Sequence, residues 1–238
     1  MENNLQSDEI TTVIKLLNNN ISSQGYLEYL LSDDMRLVQV ALLNIKRVSS
    51  QEEARAIFRI LINHPSEIRE YCSFLINKLM NDEMQRPFFQ QKIFLDILEK
   101  AICDVNPKVC RNILEVLRYF DFRDELFSAL IKNANNMVVL LQESNKQKNH
   151  MYTKNSFRLY WNLFGIALLS EYINYNNFRE KLLKLIDDTV TCREYTIREK
   201  AALILKKLSR TEVLTEFEKY LNLLKNDENY YVKSVFKT

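Results

Sequence analysis

The sequence predicts an all-α fold, and two observations carry that prediction. The chain has 238 residues but only two glycines and three prolines, whereas β-hairpins and phosphate-binding loops rely on glycine for backbone conformations with positive φ. Apolar residues recur at helical spacing along most of the chain. The clearest case is 192–209, where Ile197, Ala201 and Leu208 share one face. The composition therefore disfavours many-stranded β folds and doubly wound nucleotide-binding folds.

Capping residues place many of the helix ends. Ser50 and Glu53 have the spacing of a capping box, in which a hydroxyl and a carboxylate bind the first free amides of a helix. Pro65 and Pro107 each suit a first helical turn, where a missing N–H does no harm. With apolar spacing, these signals predict helices over 8–17, 23–31, 33–48, 51–62, 65–80, 87–103, 107–120, 121–134, 136–143, 151–175, 178–190, 195–209 and 211–225, and a last one from 229.

The second helices of successive hairpins share a pattern. A β-branched or other apolar residue is followed by a basic residue in four of six units, and a capping or acidic residue lies three positions upstream in several. The unit starts are 31 to 48 residues apart, and a period near 40 built from helix pairs is typical of helical solenoids. Aligned on the first residue expected to be buried, the units begin at Leu37, Ile68, Val109, Phe157, Ile197 and Val232.

This cadence, V-R-x-x-A-x-x-x-L, resembles the second helix of HEAT repeats. The match is best over 194–208, fair over 65–79 and 106–117, and poor over 34–43 and 157–165. The resemblance implies helical-hairpin repeats stacked into a HEAT/armadillo-like right-handed superhelix, with the second helices on its concave side. Irregular helical hairpins with similar caps would give related strings and stay an alternative.

Repeat stacking also predicts the domain organisation. One helix pair cannot bury its apolar face alone, so neighbouring pairs share one continuous core. We expect a single domain over 1–238, with a polar loop near 144–150 between its two halves. Small residues at Ala41, Cys72 and Ala201 are expected to let adjacent helices approach closely.

The residue types of catalytic and metal sites are sparse and scattered. Four cysteines occur singly without a C-x-x-C pair, and neither His64 nor His150 has a ligand at metal-binding spacing. No nucleophile elbow, P-loop or H-E-x-x-H motif is present. We therefore expect no enzyme activity, no cofactor and no metal. The N-terminus does not resemble a signal peptide, and no run of apolar residues has the length of a membrane span, so a cytoplasmic protein is expected.

Recognition of another protein or peptide on the concave face is the predicted function. A scaffold or adaptor of this kind would bind an acidic segment through exposed side chains of its second helices. Arg158 and Arg198 could instead join neighbouring repeats, in which case replacing Arg198 would cost stability. The residues predicted to line the binding face are Arg69, Tyr71, Arg111, Arg158, Arg198 and Lys200.

Nucleic-acid binding is the alternative prediction. The stretch 146–161 interleaves cations with aromatic rings, the ingredients of phosphate contact and base stacking. However, Phe157, Trp161 and Phe164 share one helical face, which favours a buried aromatic helix. The net charge of +2 gives no global support for nucleic acid. The residues predicted for this site are Lys146, Lys148, Tyr152, Lys154, Arg158 and Trp161.

The resemblance to HEAT repeats also suggests a comparison with one class of enzymes. Some HEAT-like proteins are alkylpurine DNA glycosylases, which hold a damaged nucleotide with several tryptophans and an aspartate. This chain has a single tryptophan and no aspartate between Asp124 and Asp187. The motif residues of that class therefore have no counterparts in this sequence.

Overall fold

The structure, a computed structural model, describes residues 25–144, 150–209 and 215–237. All regular elements in these ranges are helices. The chain divides into two compact units, Met1–Phe120 and Asp121–Thr238. The polar segment near 144–150 falls inside the second unit, so it is not the point of division; a single domain over the whole chain stays a prediction. The predicted helix 8–17 lies outside the described residues.

The described part of unit 1, residues 25–120, consists of three helical hairpins. The first helices of the hairpins, α1, α3 and α5, contact one another in order, and so do the second helices, α2, α4 and α6. This two-layer packing is the arrangement expected of stacked helix-pair repeats. Short 3₁₀ turns lie at Arg86–Phe89, Lys92–Phe94 and Leu117–Tyr119. The helices are α1 Gly25–Leu30, α2 Met35–Asn44, α3 Gln51–Asn63, α4 Ser66–Met80, α5 Leu95–Ile102 and α6 Pro107–Val116.

The described residues of unit 2 repeat the arrangement with three further hairpins. Its first helices α7, α9 and α11 contact in order, as do its second helices α8, α10 and α12. A 3₁₀ turn lies at Tyr175–Asn177. The helices are α7 Arg123–Ser144, α8 His150–Leu169, α9 Arg179–Val190, α10 Tyr195–Leu208, α11 Glu218–Lys225 and α12 Tyr230–Ser234.

The predicted helix 87–103 is wrong over its first half. Phe89 and Phe94 both pack on Phe58, with ring centroids 6.0 and 4.0 Å away. Five residues apart on one straight helix, the two rings would point in directions about 140° apart. The backbone is extended at Gln91, which turns both rings inward and leaves Ile93 62% exposed.

Other helix predictions also need correction, and the helix predicted over 151–175 ends at Leu169. The helix predicted over 33–48 ends at Asn44, and an extended segment follows, in which Ile45 and Val48 are buried. The two helices predicted over 121–134 and 136–143 are the single helix α7. Asn135, at the predicted boundary, lies inside α7, and its amide donates to the Ile131 carbonyl one turn earlier.

In each unit an arginine on a second helix pairs with an aspartate in the connection just before the next second helix. The Arg69 guanidinium on α4 donates from Nε and Nη2 to both carboxylate oxygens of Asp104, at 2.7 and 2.8 Å. Arg198 on α10 donates in the same way to Asp227, at 2.7 and 3.0 Å. Each arginine directly follows the first buried residue of its own helix. Each aspartate lies five residues before the first buried residue of the next second helix. These ladder pairs occupy the same register of the repeat.

A second contact recurs at one register of the repeat. The Asn77 amide donates to the Asn112 carbonyl at 3.0 Å, and the Lys206 ammonium donates to the Val235 carbonyl at 2.7 Å. In both cases the donor lies nine residues, and the acceptor three residues, after the first buried residue of its own helix. Two independent contacts at matching positions indicate that the hairpins are true structural repeats.

Candidate protein-binding surface

Three of the six residues predicted to bind a protein are buried or take part in the arginine–aspartate ladder pairs. Arg69 and Arg198 are the ladder residues, and the Arg198 side chain is only 11% exposed. Hydrogen bonds to the facing carboxylates raise the pKa of both guanidinium groups. Arg198 therefore makes the contact that its alternative role, joining repeats, requires, and Arg69 makes the same contact.

Lys200 is also not on the surface. Its side chain is 9% exposed, and its Nζ lies 5.0 Å from the Tyr160 ring centroid and 4.8 Å from that of Phe164. Glu199 accepts from the same ammonium at 3.1 Å. Helix α10 packs between α8 and α12, so side chains on its flanks are covered. The prediction that Lys200 is exposed was wrong, because it depended only on the charge of the residue.

The exposed sides of α2, α4 and α6 form a surface that we call the unit-1 second-helix face. Two large apolar side chains stand out on it, Leu43 and Phe74, and the Phe74 ring is 62% exposed. They occupy the same register position in neighbouring repeats, six residues after the first residue of each pattern. Tyr71 is half-buried and Arg111 is exposed on this face. The two apolar residues escaped the sequence prediction, which considered cations and tyrosine alone.

A seam of hydrogen-bonded polar side chains runs beside Phe74, between α4 and α6. The Asn112 amide donates to Ser73 Oγ at 3.0 Å. The Asn77 amide donates to Glu115 Oε2 at 2.6 Å, in addition to its bond with the Asn112 carbonyl. Amide groups of this kind can exchange a seam contact for a hydrogen bond to a peptide backbone.

Charge on this face is unevenly paired. Lys108 donates to Glu70 at 2.6 Å, and this bond, together with one from Asn106, lowers the pKa of the Glu70 carboxyl. Among the described residues, Lys78 and Arg111 make no ion pair. The face thus presents two cations that remain available to a ligand.

The stretch predicted to bind nucleic acid is only partly exposed. Lys146 and Lys148 lie outside the described residues. Trp161 is 5% exposed, with the Phe157 and Tyr160 ring centroids 5.9 and 5.0 Å from its own.

The remaining members of that stretch have different surroundings. Tyr152 donates from its hydroxyl to Glu194 at 3.1 Å, Lys154 is exposed and Arg158 is half-buried. The structure therefore leaves Trp161 no exposed face for stacking on a base.

Within residues 25–144, 150–209 and 215–237, no group of three or more His, Cys, Asp or Glu side chains could hold a metal ion. In those ranges, no helix combines the length and the apolar character needed to cross a bilayer. Burial raises the pKa of the Cys110 thiol to about 12, and it also raises the pKa of Cys72.

The chain is similar in structure to designed helical-repeat proteins. No protein-family model and no curated protein matches it. A designed armadillo repeat protein is 13% identical, with a TM-score of 0.52, covering 90% of this chain and 96% of that protein. An engineered protein of known crystal structure is 13% identical, with a TM-score of 0.53, covering 91% and 96%. At these identities the likeness shows the fold alone: the chain is an all-α helical-repeat solenoid.

Proposed function

We propose that the protein is a non-enzymatic, HEAT-like scaffold or adaptor that binds a protein or peptide on the unit-1 second-helix face. The observation that carries the proposal is Phe74, a large apolar ring that stands 62% exposed in the middle of that face. With Leu43, which has the same register on the neighbouring helix, it gives the face two exposed apolar side chains among polar groups, as expected of a recognition site. The ring would anchor an apolar side chain of the partner.

The surroundings of Phe74 support a partner with an extended backbone and an acidic residue. The Asn77 and Asn112 amides lie in the adjoining seam, where they can meet peptide carbonyl and N–H groups. Lys78 and Arg111, which make no ion pair among the described residues, favour a carboxylate on the ligand. The cytoplasmic location stays a prediction from the sequence.

Selection from a library of short random peptides tests the proposal, followed by fluorescence-polarisation titration of the best binder. F74A should weaken binding at least about fivefold, because an aromatic anchor contributes more than about 1 kcal/mol. R111Q should weaken binding of acidic peptides and flatten its salt dependence.

Matched controls separate recognition from general surface effects. I93A removes an apolar side chain of the same exposure from a 3₁₀ turn outside the face, and K100Q removes a positive charge from the first-layer helix α5. Both should bind like the wild-type protein. Equal losses for F74A and I93A, or a library that yields no binder, would refute the proposal.

Nucleic-acid binding through 146–161 is the competing proposal, and a specific observation weighs against it. Trp161 is in the core of unit 2, so the stacking half of that prediction lacks its main ring. Of the two predicted cations that the structure describes, Lys154 is exposed and Arg158 is half-buried. Steep salt dependence of oligonucleotide binding would favour this alternative.

A further inference from the structure

Unit 2 contains a cavity of about 280 Å³ that the proposed function does not use. It lies beside α7, α8 and the end of α9. Val138, Leu141 and Leu159 form an apolar floor and are all buried. Gln142, Asp188 and Arg193 also line it and add polar groups of both signs. An apolar floor with a few polar groups is the usual composition of a small-molecule site.

The cavity occurs where the repeat departs from its own ladder. In the α6 and α12 repeats, the position five residues before the first buried residue of the second helix is an aspartate. These aspartates, Asp104 and Asp227, accept the hydrogen bonds of the ladder arginines. The α10 repeat has Cys192 at this position, and Cys192 lines the cavity. In this repeat Tyr152, which also lines the cavity, donates from its hydroxyl to Glu194 at 3.1 Å.

Opposite charges face the cavity without neutralising each other. Among the described residues, neither Asp188 nor Arg193 makes an ion pair, and the two do not pair together. A carboxylate and a guanidinium that line one cavity without pairing with each other are complementary to a ligand that carries both charges. The apolar residues that line the same cavity favour a ligand that also has an apolar body.

We propose that this cavity binds a small zwitterion with an apolar body, the chemistry of a free aliphatic α-amino acid. The ligand ammonium would meet Asp188, its carboxylate would meet Arg193, and its side chain would lie on Val138, Leu141 and Leu159. The site is independent of the unit-1 second-helix face, so each proposal can fail without the other.

The half-buried Cys192 thiol gives the cavity a built-in reporter. In a C103S background, the rate at which a maleimide labels Cys192 would be followed at mildly alkaline pH, because burial raises the pKa of this thiol. Cys72 and Cys110 are buried and should react more slowly. Leucine should slow Cys192 labelling in a saturable manner, and calorimetry on the wild-type chain should give the same affinity.

Two analogues and two variants test the pairing of charges. Leucinamide lacks the carboxylate and N-acetylleucine lacks the ammonium, so each should bind at least about tenfold more weakly than leucine. D188N and R193Q should each impose a similar loss. K181Q and E218Q, exposed charge removals elsewhere in unit 2, should leave leucine affinity unchanged.

The proposal is overturned by any of three results. If leucine neither slows the labelling of Cys192 nor gives a heat of binding in calorimetry, the site is excluded. Equal binding of leucine and leucinamide would indicate a cation or peptide N-terminus as the ligand. Equal binding of leucine and N-acetylleucine would indicate an anion. Unchanged melting temperatures of D188N and R193Q would show that their losses are not due to unfolding.

Discussion

Replacing Arg198 by alanine should destabilise the protein markedly without affecting ligand binding on unit 1. The Arg198 guanidinium donates two hydrogen bonds to the Asp227 carboxylate, at 2.7 and 3.0 Å. Its Nη1 also donates to the Cys192 and Arg193 carbonyls at 2.8 and 3.1 Å. R198A removes all four bonds and leaves Asp227, whose side chain is 8% exposed, without its cation.

The expected loss is about 3 kcal/mol. Breaking a buried ion pair by removing one partner costs about 3–5 kcal/mol, because the remaining charge is desolvated and unpaired. The lower end applies here, since the Asn229 N–H still donates to Asp227 at 2.8 Å. For a chain of this size, that loss corresponds to a fall in melting temperature of about 6 to 12 °C.

Chemical denaturation of R198A, D227A and the double variant would measure the pair directly. The double-mutant cycle should give a coupling energy of about 2 kcal/mol. R179A, which breaks the exposed Arg179–Glu216 pair in the same unit, is the control and should cost less than about 0.5 kcal/mol. A loss below about 0.5 kcal/mol for R198A, or a coupling energy near zero, would refute the reasoning.

The same pair should give a pH-dependent stability. Hydrogen bonds from Arg198 lower the pKa of Asp227 in the folded state. Its contribution is therefore fully present above the ordinary carboxyl pKa of about 4, and it is lost as the pH falls through the lower folded-state value. The stability difference between the wild-type protein and R198A should shrink over this acidic range, as followed by denaturation at several pH values. A constant difference would contradict this role of Asp227.

Two further predictions concern the aromatic region of unit 2. K200M should lower the free energy of unfolding by about 0.5–1 kcal/mol in urea denaturation, because it keeps the aliphatic contacts of Lys200 but loses the cation–π contacts with Tyr160 and Phe164. K200A also loses the aliphatic contacts and should lower it further. Equal losses for the two variants would contradict this division of the energy. Fluorescence from the buried Trp161 should remain unchanged when single-stranded or duplex oligonucleotides are added at low salt; a saturable, salt-sensitive change would instead revive the nucleic-acid prediction.

The sequence by itself determined the fold class and most of the helices. Two glycines and continuous helical periodicity left an all-α chain as the consistent solution, since strands and tight turns lacked their usual residues. The prediction for α10 over 195–209 agrees with Tyr195–Leu208, and Pro107 begins α6 as expected. These features depend on local spacing and capping, which a single segment contains.

Tertiary structure alone decided which polar residues are internal. The helical pattern predicted solvent exposure for Arg69, Arg198 and Lys200, because such a pattern identifies one buried side of a helix. A second helix within a stack is also covered on both flanks, which buries these side chains. The break before α5 likewise depends on Phe58, more than 30 residues away in sequence, which draws Phe89 and Phe94 together. The exposed Phe74 and the cavity lined by Cys192 arise from the same cause: whether a side chain is covered depends on the neighbouring repeats and not on its own helix.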